Sequence, residues 1–176
     1  MLDFVPVEGG RWHGLLFANQ ALPPRLTWCF DFRFEDVPDD DDFSPLSLAV
    51  EWMPAPADSW RRTGGLHLAS AAFGEPAEAS VYHYIHHRFE AVDLRLGEQD
   101  GPSLRAAVSL SGDADRLGVD PVHADATLTF AGLLVALPGV TAPADALARL
   151  AEFTDTTGLV LDPSGATAAL RFVPSA

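Results

Sequence analysis

The sequence predicts a mainly β to α+β fold, with antiparallel sheets in a sandwich-like arrangement and one helix near 142–154 packed on a sheet. Three observations lead there. Apolar residues recur with period two through most of the chain, turn residues separate the alternating runs, and only one late segment has a helical period. One dry and one wet face on so many strands is the mark of antiparallel sheets.

The strands follow in order. Trp12 to Phe17 is a short strand. Trp28, Phe30, Phe32 and Phe34 alternate with Cys29, Asp31, Arg33 and Glu35, placing Cys29 on the polar face. Leu46, Leu48, Val50 and Trp52 form the dry face of the next strand, which Pro54 and Pro56 end. Leu66 to Ser70 is another short strand. Val81, Ile85 and Phe89 put odd positions inside, whereas Val92, Leu94 and Leu96 put even positions inside. A turn or bulge near His86-His87-Arg88 must therefore switch faces. Asp100-Gly101-Pro102 reads as a hairpin loop leading to Leu104, Ala106, Val108 and Leu110. Ala126, Leu128 and Phe130 then alternate until Gly132, where the parity changes again, as it does at a glycine bulge. Thr141 is placed to cap a helix presenting Leu147, Leu150, Ala151 and Phe153 or Thr154 on one face, with Gly158 as its stop. Leu159 to Leu161 and Ala166 to Phe172 complete a terminal hairpin. Glu35 to Pro45 is expected to be flexible.

At 176 residues the chain is expected to form a single domain with one real core. Its net charge is −14, from 25 acidic residues against 11 basic ones, all arginine. Such a chain repels nucleic acid and anionic membrane surfaces and attracts basic partners or cations. One cysteine cannot form an internal disulfide, and no apolar run approaches the ~20 residues of a membrane span, so a cytoplasmic protein is expected.

No motif identifies a reaction, and no cofactor, metal or catalytic residue is assigned. GxSxG, GxGxxG and P-loop patterns are absent. His83 and His87, on one face of an unbroken strand, would lie about 13 Å apart at ~3.3 Å per residue, too far to share a metal unless the bulge folds them together. With His67 they form the alternative polar site. Asp113, Asp115 and Gly118 match the start of a calcium loop, but Leu117 and Ala124 occupy positions that need oxygen ligands. Asx turns account for the same residues.

The residues expected to bind a partner are the acidic run Asp39, Asp40, Asp41 and Asp42, the Trp60-Arg61-Arg62 loop, and Tyr82 and Tyr84. Acid attracts a basic protein, while Trp, Tyr and Arg are the side chains that anchor interfaces. The function expected is a small acidic binding protein, such as an immunity or antitoxin-type inhibitor of a basic protein partner. The alternatives are an enzyme with a site assembled from scattered His and Asp/Glu residues, and a self-associating module, for instance a homodimer formed through sheet edges.

Overall fold

In a computed structural model, which describes residues 2–39, 42–164 and 169–175, the alternating segments become twelve strands and one short helix. The strands are β1 (Arg11–Phe17), β2 (Arg25–Arg33), β3 (Val37–Asp39), β4 (Asp42–Ser44), β5 (Ser47–Met53), β6 (His67–Ser70), β7 (Glu78–His83), β8 (Ile85–Asp100), β9 (Ser103–Asp113), β10 (Val122–Ala136), β11 (Leu159–Leu161) and β12 (Leu170–Pro174). The helix α1 spans Pro143–Leu150.

Pairing runs β1-β2-β5-β7-β8-β9-β10, and β10 then pairs with β1. Seven strands thus close into a ring. All contacts within it are antiparallel except the closing one, β1 with β10, which is parallel. The antiparallel sheets expected in a sandwich-like arrangement are instead one ladder that meets itself, with the dry faces pointing inward. The core is Trp12, Trp28, Phe30, Phe32, Leu48, Val50, Phe89, Leu94, Leu104 and Leu110 with their neighbours, all buried. Closure removes the two edges that an open sheet of this width would leave unpaired.

Long strands bend at identifiable points. Trp12 pairs with Phe130 but Gly14 with Leu133, so the parity change expected at Gly132 is a bulge in the β1–β10 ladder. Gly132 has φ +110°, and a Cβ there would lie 2.6 Å from the Phe172 carbonyl oxygen. The hairpin at Gly101-Pro102 also forms as expected, with Asp100 paired to Ser103.

Several expectations are corrected. The switch placed near His86-His87-Arg88 separates into two events. The chain turns at Tyr84, where φ is +62°, and the buried parity changes between Phe89 and Val92, beside Gly112 at φ +78°. Ile85 is consequently 61% exposed rather than inside. Trp52 is not on the dry face. An extra residue in β5, between the pairs Phe30–Val50 and Trp28–Met53, gives Trp52 φ +60° and turns its indole toward Phe17, 6.1 Å away between ring centroids. Cys29 is buried, not on a wet face. The stretch Glu35 to Pro45 contains a two-stranded hairpin, β3 with β4, rather than a structureless loop. The expected strand positions 166–168 lie outside the described residues.

Helix α1 is shorter than expected. Its N-cap is Ala142, with no side-chain cap from Thr141, and it ends at Leu150, well before Gly158. Ala146 and Leu150 are its buried residues, and it packs beside β12. Thr154 donates its hydroxyl to the Asp58 carbonyl at 3.2 Å, and the Asp155 N–H reaches the same oxygen at 2.8 Å. These two bonds tie the helix to a 3-10 turn at Trp60–Arg62. No helix among the described residues is long and apolar enough to cross a membrane.

Candidate functional site

The topology divides the predicted partner-binding residues between two ends of the ring. Ser47 pairs with Tyr82, and Tyr82 with His86, so the β3–β4 hairpin enters β5 beside the β7–β8 turn. The Trp60–Arg62 turn lies at the other end, where Gln99 donates to the Trp60 carbonyl at 2.8 Å, just before the β8–β9 turn. Strand β8 connects the two ends over 16 residues, about 50 Å of extended chain at ~3.3 Å per residue. Asp39 and Asp42 therefore do not share one surface with Trp60–Arg62.

In the second of these groups the tryptophan is part of the core. Trp60 is buried and lies flat on Phe130, with centroids 4.4 Å apart and planes 4° from parallel, so it closes the core instead of presenting an anchor. Arg61 sits over the outer face of that indole at 4.5 Å and is 3.7 Å from Asp155. Arg62 pairs with Asp58 at 3.0 Å.

The first group gains residues that sequence patterning missed. Asp39 and Asp42 are paired positions of β3 and β4, and Asp40 and Asp41 lie outside the described residues. Phe43 follows them on β4 and is 64% exposed. Tyr84 and Ile85 are 52% and 61% exposed, and Tyr82 is half-buried against the edge of the His86 ring at 5.2 Å. The N-terminal segment runs along the same end: the Val7 N–H donates to the Arg33 carbonyl and the Glu35 N–H to that of Val5. Val5 and Val7 are also exposed, so five of the eight exposed large apolar side chains among the described residues gather here. Glu8, Glu35 and Asp36 stand among them. A cleft of about 390 Å³ opens between the N-terminal segment and the hairpin base, lined by Val7, Glu8, Arg11, Arg33, Asp36 and Pro45 among others. Phe43 could have been suspected from its place at the end of an acidic run; Ile85 could not, because its spacing from Val81 and Phe89 mimics a core position.

His83 and His87 come together while His67 stands apart, and the separation expected for an unbroken strand does not hold because the chain turns at Tyr84. The His87 ring nitrogen Nε2 is 3.3 Å from the His83 carbonyl oxygen, so these two are neighbours at the β7–β8 turn. His67 pairs across from Arg95, eight residues further along β8, about 26 Å of strand. There its Nε2 meets the Asp93 carboxylate at 2.7 Å, and Arg95 reaches the same carboxylate at 3.2 Å. Those partners, His67 first, hold the Asp93 carboxyl below its usual range. Asp93 and Arg95 border a groove of about 470 Å³ between Phe4 and Pro6 and the outer faces of β8, β9 and β10, where Ser109 and His123 also stand. Among the described residues no group of three His, Cys, Asp or Glu is arranged to hold a metal.

The Asp-rich turn is accounted for by its own backbone. Asp113 accepts from the N–H groups of Leu117 and Gly118 at 2.9 and 2.8 Å, and Asp120 accepts from Gly112 and Asp113. Asp115 takes the Arg88 N–H and both arms of its guanidinium. The arrangement is that of Asx turns locked by one ion pair.

Electrostatically, seven of the eleven arginines are already paired with carboxylates at 2.8–3.7 Å: Arg61, Arg62, Arg88, Arg95, Arg105, Arg149 and Arg171. Elsewhere like charges face each other. Glu51 stands opposite Glu78 across β5 and β7. Its carboxyl is pushed up by desolvation first, then by Asp31 and Glu78. No family model matches the chain, and neither a curated protein nor a solved structure matches it.

Proposed function

We propose that this protein binds a basic protein partner, as an inhibitor of the immunity or antitoxin type does. The observation that carries the reading is the internal commitment of the arginines. Among the described residues seven arginines are engaged in ion pairs, and 25 acidic residues against eleven basic ones leave the chain a surplus of acid. Such a surface speeds encounter with a cationic protein and disfavours acidic competitors. Uncompensated acid also works against the compact state through self-repulsion, and a bound cationic surface would relieve that.

Binding of this kind weakens with salt, because charges near the surface are screened over about 8 Å at physiological ionic strength. The test is capture of partners by the immobilised protein from its native extract at low and moderate salt, read by mass spectrometry. One basic protein retained in near-equal amount, and lost as salt rises, is the expected result. Retention of no basic protein at low salt would overturn the reading.

A further inference from the structure

We infer that the partner docks on the end of the ring that carries the β3–β4 hairpin, and that it offers a basic segment bearing a large apolar side chain. This rests on the reading above and says where and how contact is made.

Two distributions coincide at that end. The three most exposed large apolar side chains among the described residues, Phe43, Ile85 and Tyr84, all stand there, and Val5 and Val7 add to them. Scattered exposed apolar residues need no explanation, but a concentration of them rimmed by polar groups marks a contact surface. The acid here is Glu35 and, at paired positions of β3 and β4, Asp39 and Asp42, with Glu8 and Asp36 in the cleft wall beside them. From the N-terminal segment through β2, β5 and β7 to β8 is four strand spacings, about 19 Å at ~4.8 Å each, a width that a helix or hairpin of a partner would cover. The other large concavity, over β8–β10, lacks this combination, because its Asp93, Arg95 and Asp125 are held in ion pairs.

The cleft at this end specifies the chemistry further. Glu8 and Asp36 balance Arg11 and Arg33 in its walls, and Val7, Pro45 and the buried Phe34 and Leu46 supply apolar surface. It suits an apolar side chain, while the attraction for cationic groups comes from the rim. Apolar anchors then set how long a complex lasts, and rim charges set encounter rate and salt dependence.

The test uses a fluorescein-labelled 14-residue peptide of arginine and lysine with two leucines and one tryptophan. A control peptide has the same charge with glycine at those three places. Anisotropy titrations give affinity at two salt concentrations, and amide chemical shifts map the contact. The apolar-bearing peptide is expected to bind about tenfold tighter than its control, with shifts centred on Phe43, Tyr84 and Ile85. A Phe43→Ser/Ile85→Ser double variant should abolish that tenfold margin and keep the salt dependence. These residues are exposed, so an unchanged melting temperature checks that the variant folds. If both peptides bind with salt dependence but the shifts fall elsewhere, or the double variant keeps the margin, this docking end is refuted and the basic-partner reading survives. If neither peptide binds at low salt, the basic-partner reading itself fails.

Discussion

The indole of Trp60 and the ring of Phe130 are stacked 4.4 Å apart and 4° from parallel, one supplied by a 3-10 turn and the other by the middle of β10. The contact places a residue of interface-like type in the core. Trp60→Ala should therefore destabilise by about 3–5 kcal/mol in urea unfolding, as deletion of a buried aromatic does. Trp60→Phe, which keeps a ring on Phe130, should cost less. Unchanged stability in Trp60→Ala would mean that the indole is not part of the core.

Gly132 is the second structural test. Its φ of +110° and the 2.6 Å that would separate a Cβ from the Phe172 carbonyl oxygen leave no room for a side chain. Gly132→Ala should cost about 1–3 kcal/mol and loosen β12 from β10. Hydrogen exchange at Leu170 to Phe172 reads that directly, and unaltered protection there would contradict the assignment of the bulge.

Cys29 predicts a pH effect. Burial, the dominant cause, pushes its thiol from the ordinary value near 9 up to about 12. The native thiol should react with a disulfide reagent at pH 8 far more slowly than the unfolded chain. Because the folded value is the higher one, the associated stability is complete below about pH 9 and is lost as pH rises toward 12. Cys29→Ser should flatten that alkaline decline relative to the parent chain.

The loop after β9 is held by Asp115. Its carboxyl sits well below the usual range, first because the Arg88 side chain donates to it and then because the Arg88 N–H does. A depressed folded value means that its hold is present above the ordinary carboxylate range and fades only as pH falls below it. The Arg88 amide shift should therefore stay flat down to about pH 4. In Asp115→Asn, trypsin should cut faster after Arg116, which has φ +63° and lies in this loop. Equal cleavage rates would show that the ion pair does not order the loop.

Much of this fold was legible because strand parity is a local property. The alternation in β2, β5, β8, β9 and β10, the Gly101-Pro102 hairpin and the Gly132 bulge all follow from neighbouring residues. The misreadings share a physical origin. Trp52 and Ile85 each lie beside a backbone step that parity cannot see, a bulge in β5 for one and the left-handed Tyr84 for the other. Cys29, expected on a wet face, is buried, with the Trp52 backbone of that bulge hydrogen-bonded to its thiol. Ring closure through the parallel β1–β10 pair joins residues about 118 apart in sequence, and no local pattern reports it. The site was half legible for the same reason. Acid and aromatic residues announce themselves, but only the topology shows that Asp39, Asp42 and Tyr84 share an end while Trp60–Arg62 lies at the other.

In the proposed function, surplus acid recruits a basic protein. The most direct measurement compares the parent chain with a variant in which Asp39, Asp40, Asp41 and Asp42 are all replaced by Asn, both immobilised and exposed to native extract at low and moderate salt. The expected result is one basic protein held by the parent at low salt, weakened by added salt, and held less well by the variant with a shallower salt response. Equal retention by both chains at both salt concentrations would contradict it.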